Sequence, residues 1–138
     1  ITWHGPGQIV GYPILRLAQP SELVGYVREI ENALIKTCEE FGLQVQRIEN
    51  RSGVWTQDEK TPRKIAAIGI RVAKATTMHG FALNVNPDLG AFSQIIPCGI
   101  ADAQVTSMAH ELQRDITTQE VLPILERNIT STLAKVSA

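Results

Sequence analysis

Cysteine is scarce in this chain of 138 residues, which has only Cys38 and Cys98. Two thiols so far apart make no disulfide framework, and without a Cys-x-x-Cys pair they suggest no zinc site. A reducing, cytoplasmic setting fits that usage. An excess of either charge is also missing, with 13 Lys and Arg against 14 Asp and Glu and a net charge of -1. That balance gives no pull toward nucleic acid or an anionic membrane. Aromatic residues make up 5% of the chain and form no arginine–aromatic stripe on which bases could stack. The chain lacks the Gly-x-x-x-x-Gly-Lys phosphate cradle. No apolar run approaches the ~20 residues of a membrane span. Repeats, low-complexity tracts and linkers are absent too. What is there, 43% hydrophobic and 20% charged residues, suits one globular domain over residues 1–138 with one core. The chain opens on Ile1 without a methionine, which predicts that N-terminal strands of the domain are missing and that apolar sheet edges are exposed.

Residues 8–17 form an apolar run that reads as a strand, with Pro13 pushing it toward an edge or a bulge. From Ser21 to Phe41, Leu23, Val27, Ile30, Leu34, Cys38 and Phe41 recur at helical spacing. Ser21 suits the N-cap of that helix and Gly42 the position just past its end. Residues 43–49 read as a strand, 50–53 as a turn and 54–56 as a second strand. The polar stretch 57–63 is a loop. Residues 64–72 form a nearly continuous apolar strand, buried on both faces in part, and 81–85 a strand antiparallel to it. Thr117 and Glu120 have the spacing of a capping box. They open a helix with Val121, Leu122, Leu125, Ile129, Leu133 and Val136 on its apolar side and Pro123 as a kink. The order predicts an α+β domain with a mixed or antiparallel sheet and packed helices.

Few groups could do chemistry. Cys98 lies in Pro97-Cys98-Gly99 after an apolar run, where a turn can present a thiol to a substrate. Reactive and packing roles are both open for it. Cys38 sits on the helical stripe and reads as core. Lys64 opens an apolar strand, and a desolvated lysine can act as a base or simply reach back to water. His79-Gly80 precedes a strand. Gly80 could let backbone N–H groups approach a carbonyl, and His79 could be an acid-base group or a backbone-satisfied histidine. His4 to Gln8 is a stiff, glycine-flanked loop that suits a pocket wall. His110 reads as solvent-facing, and no spacing joins the three histidines as metal ligands.

Taken together, these segments resemble the lipoyl(octanoyl) transferase family. The resemblance is carried by His4-Gly5-Pro6-Gly7-Gln8-Ile9-Val10-Gly11-Tyr12-Pro13, by Arg51-Ser52-Gly53-Val54-Trp55 and by Arg63-Lys64-Ile65-Ala66-Ala67-Ile68-Gly69. It continues through His79-Gly80-Phe81-Ala82-Leu83-Asn84, Pro97-Cys98-Gly99-Ile100 and Val105-Thr106-Ser107. The family's Arg-Gly-Gly, which would stand immediately before Ile1, is absent.

The resemblance implies a fold like the catalytic domain of biotin and lipoate protein ligases. It also implies transfer of an octanoyl group from octanoyl-acyl carrier protein to a lysine of lipoyl domains. Those acceptors are the lipoyl domains of 2-oxoacid dehydrogenase complexes and the glycine cleavage H protein. By the same resemblance Cys98 carries the acyl group as a thioester and Lys64 activates it. Thr2, Trp3, His4, Ala67, Ile68, Gly69, His79, Gly80, Phe81 and Ala82 bind the substrate. One thioester replaces another and then gives a more stable amide, so neither ATP nor any other cofactor is implied, and no nucleic acid or membrane partner. The rivals are a Cys98–His79 thiol hydrolase, a non-catalytic module that binds acyl groups or lipoyl domains, and an ATP-consuming lipoate ligase on the same fold.

Overall fold

The computed structural model describes residues 4–19, 22–90 and 105–136. In chain order these form β1 (Gln8–Gly11), α1 (Leu23–Glu40), β2 (Val45–Ile48), β3 (Arg51–Thr56), β4 (Lys64–Ala73), β5 (Thr76–Asn84), α2 (Met108–Leu112) and α3 (Thr118–Leu133). The strands make one sheet in the order β1-β5-β4-β3-β2. All of its strand pairings are antiparallel, as expected of an α+β domain. α1 packs on α3 and on β2 to β4, so one face of the sheet carries the main core. None of the helices among the described residues is long and apolar enough to cross a membrane.

The helical periodicity of α1 holds. Ile30, Leu34 and Cys38 are fully buried, and Leu23, Val27 and Phe41 pack against them. Gly42 ends the helix with φ +86°, a conformation that favours glycine. The N-cap falls on Glu22 with no side-chain cap bond, whereas Ser21 lies outside the described residues. In α3 the Thr117 hydroxyl accepts from the Glu120 N–H at 3.1 Å, closing the expected cap. The helix runs on through Pro123, and Leu122, expected on the apolar side, is instead exposed.

Four strand boundaries differ from expectation for local reasons. The paired part of the first strand stops at Gly11, and beyond it Arg16 bridges the sheet, to Thr76. Around Pro13, which has no N–H to donate, Thr77 takes over. Its hydroxyl donates to the Pro13 carbonyl at 2.9 Å and accepts from the Leu15 N–H at 2.9 Å. The turn expected over 50–53 is tighter, because Asn50 takes the left-handed φ of +66° and β3 already starts at Arg51. β2 begins at Val45 and ends at Ile48, so Leu43 lies outside the strand. β5 starts at Thr76 rather than Phe81. The β4–β5 reversal is made by Lys74 and Ala75 at φ +52° and +66°, a two-residue hairpin without its usual Asn or Gly.

Candidate functional site

Lys64 owes its place to an irregularity in the sheet. Trp55 pairs with Lys64 and Val54 with Ala66, which leaves Ile65 as an extra residue on β4. Plain alternation would put Lys64 on the face of Ala66 and Ile68, toward the main core. The extra residue turns it over. Val54 shares the face of its partner Ala66, so Trp55 lies on the opposite face, and the Lys64 Nζ sits 4.9 Å from the Trp55 ring centroid. Ala67 and Gly69 share that opposite face. Gly53 leaves room there: a Cβ on it would meet both the Ala66 carbonyl and the Lys64 side chain.

The Lys64 amine is held below its ordinary pKa, first by burial and then by repulsion from Arg51. Arg51 lies 5.4 Å from the same Trp55 ring, so one aromatic ring organises two cations. Trp55 and Arg51 stand in the sequence blocks but had no role assigned there. Their spacing on one strand was visible, whereas their convergence on Lys64 required the bulge.

The segment that follows residues 91–104 returns beside Lys64. Val105 bridges Lys64 in parallel, and the Thr106 N–H donates to the Lys64 carbonyl at 2.9 Å. Arg63 Nη2 and Nε donate to the two Glu111 carboxylate oxygens at 2.8 and 3.2 Å, a paired fork from β4's edge to α2. Burial opposes ionisation of Glu111, but the bonds from Arg63 and Thr106 outweigh it and keep the carboxyl below its usual pKa.

On the Trp55 face, over β4 and β5, lies a cavity of about 440 Å³. That size is in the range of small-molecule sites. Ala67, Ile68, Gly69, His79, Gly80, Phe81, Ala82 and His4 all line it, joined by Val10, Tyr12, Ile70 and Arg71. Eight of the ten substrate-binding residues expected from sequence are thus gathered in one wall. Thr2, Trp3 and Cys98 lie outside the described residues. Lys64 is on the same sheet face but is not part of the cavity lining.

Gly80 has a packing reason to be glycine, since a Cβ there would overlap the Gly11 carbonyl of β1. His79 is exposed with φ +65°, strained backbone for a non-glycine residue at the rim of a cavity. His110 is exposed on α2, away from that cavity. Among the described residues, no three His, Cys, Asp or Glu side chains gather as metal ligands. Cys38 is fully buried, and burial, helped by Glu39, pushes its thiol up to about 12, so it is inert packing.

Residues 1–130 match the model of the lipoyl protein ligase A/B catalytic domain. The chain is 58% identical over 131 residues to an octanoyltransferase of Salinispora tropica, an alignment that covers 94% of this chain and 62% of that protein. A bi-partite lipoate protein ligase from Thermoplasma acidophilum superposes with TM-score 0.73 at 18% identity, over 93% of this chain and 52% of its own. The biotin protein ligase of Aquifex aeolicus does so with TM-score 0.66 at 20% identity, over 94% and 53%. These two likenesses establish the fold. The chain spans about three-fifths of the Salinispora protein and about half of each ligase chain. With residues 1–130 matched in this way, the chain belongs to the lipoyl protein ligase A/B catalytic domain family.

Proposed function

We propose that this chain is the catalytic part of an octanoyltransferase of protein lipoylation. The observation that carries the reading is the cavity over β4 and β5. It is lined by small and apolar groups from Ala67–Gly69 and Gly80–Ala82, and a desolvated lysine stands on the same sheet face. An eight-carbon chain needs such an apolar slot, and a thiol needs such a base.

In the first half-reaction Lys64 removes the Cys98 thiol proton. The thiolate attacks the carbonyl of octanoyl-acyl carrier protein, and the carrier's thiol leaves with a proton. In the second, the lysine amine of a lipoyl domain attacks the Cys98 thioester. An amide forms, Lys64 takes the amine's surplus proton, and the Cys98 thiol is released. Neither step consumes ATP. The acceptors are lipoyl domains of 2-oxoacid dehydrogenase complexes and the glycine cleavage H protein, and the setting is the cytoplasm.

The test is the intact mass of the chain after mixing with octanoyl-acyl carrier protein. The wild type and Cys38→Ser gain one octanoyl group, whereas Cys98→Ser gains none. An undiminished adduct on Cys98→Ser removes the nucleophile assignment, and free octanoic acid released at the full rate without acceptor favours a thiol hydrolase.

A further inference from the structure

A second feature of the Trp55 face is polar. The Gly5 N–H donates to Gln8 Oε1 at 3.2 Å, and His4 Nδ1 approaches the same oxygen at 3.3 Å. Gln8 Nε2 donates to Asn84 Oδ1 at 2.8 Å, and Asn84 Nδ2 donates to the Thr106 carbonyl at 3.1 Å. The Thr106 hydroxyl donates to Glu111 Oε2 at 2.6 Å, and the Thr106 N–H holds the Lys64 carbonyl. Gln8 and Asn84 are register partners in β1 and β5, on the side of the sheet that carries Val10 and Ala82.

The direction of every bond in this chain is forced. Its first donor is a backbone N–H and its far acceptor a backbone carbonyl, neither of which can reverse. The two amides between them therefore have one orientation each. Because Gln8 Oε1 can only accept, His4 Nδ1 acts as the donor wherever that contact is a hydrogen bond. Asn84 is buried and uses both ends of its amide, so aspartate there would set a carboxylate against the Thr106 carbonyl.

We infer that Gln8, Asn84, Thr106 and Glu111 form one hydrogen-bonded strap that positions the cavity wall at His4 and the strand end at Lys64 relative to each other. For its consequence in turnover, the inference rests on the octanoyl-transfer reading above. None of the four touches the reacting atoms. They act through His4, which lines the cavity, and through the backbone of Lys64. The strap joins elements remote in sequence, and each of its links leaves a buried partner unsatisfied if cut.

Two measurements on the full chain test it. The first is amide hydrogen exchange of Thr106 in Gln8→Met, which removes the amide two links away. Exchange is expected to quicken about tenfold at Thr106 while Thr56, whose N–H donates to the Arg63 carbonyl, keeps its protection. Unchanged protection at Thr106, or an equal loss at Thr56, overturns the strap.

The second is a double-mutant cycle of Gln8→Met and Glu111→Gln on the rate of acyl-enzyme formation. The strap predicts a departure from additivity of about fivefold or more, and agreement within about twofold overturns it. Asn84→Asp should lower kcat more than it raises KM, with near-UV circular dichroism retained. A KM-only effect overturns the link to Lys64. If the wild type forms no acyl-enzyme, the octanoyl-transfer reading falls, and hydrogen exchange alone decides the strap.

Discussion

At the scale of the residue, the candidate chemistry depends on how the Lys64 amine is held below its ordinary pKa. Its stem is half-buried against Trp55, and Arg51 adds repulsion across the same ring. Lys64→Ala removes the base but little packing. It should slow acyl-enzyme formation about a hundredfold or more while the thermal midpoint stays close to wild type. Quench-flow acylation beside a melting curve checks both, and an unchanged rate would end the assignment. Arg51→Gln tests the tuning separately. Removing the neighbouring positive charge favours protonated Lys64, so its pKa rises and a higher pH is needed to free the amine. The rising limb of the acylation pH profile should therefore move to higher pH, and Arg51→Lys should keep it near its wild-type place. A limb that stays put in Arg51→Gln would show that burial alone sets the amine.

At the scale of the element, the β4–β5 hairpin carries most of the cavity yet turns on two residues of the wrong kind. Lys74 and Ala75 both hold positive φ, which costs a residue with a Cβ about 1–2 kcal/mol. Replacing the pair by Asn-Gly suits the turn and should raise the unfolding midpoint by several degrees, given ~1 kcal/mol regained. A lower midpoint by calorimetry would contradict the strain. The same turn shows why sequence reading had uneven success. α1 and α3 were legible because periodicity and caps are local: Ile30, Leu34 and Cys38 are buried as their spacing required. β5 began five residues too late in the reading because Lys74-Ala75 carries no turn signal. The cavity residues were legible through the sequence blocks, and eight of the ten line one wall. The pairing of Lys64 with Trp55 was not, because it depends on the extra Ile65, a matter of register between strands that no single segment encodes. Gln8 and Asn84 were missed for the same reason, since their partners lie 76 and 22 residues away.

At the scale of the whole molecule, the sheet is asymmetric in its exposure. Among the described residues β1 is an edge strand paired with β5 alone, and Val10, Tyr12 and Ile14 on or just beyond it are 36%, 59% and 71% exposed. Met78 on β5 adds a fourth apolar side chain at 41%. An unpaired edge beside apolar side chains is a template for another chain, and a net charge of -1 offers almost no repulsion against it. With these apolar side chains exposed at and beside β1, the chain in solution should self-associate as its concentration rises. Ile14→Lys places a charge at the patch, outside the cavity lining, and should shift sedimentation toward monomer without lowering the thermal midpoint. High salt should partly restore association of the variant, since it screens the added charge but leaves the edge itself unchanged. A wild-type chain that sediments as a monomer across the accessible concentration range would show that the β1 edge is not sticky. Association that Ile14→Lys leaves untouched would move the contact to another face.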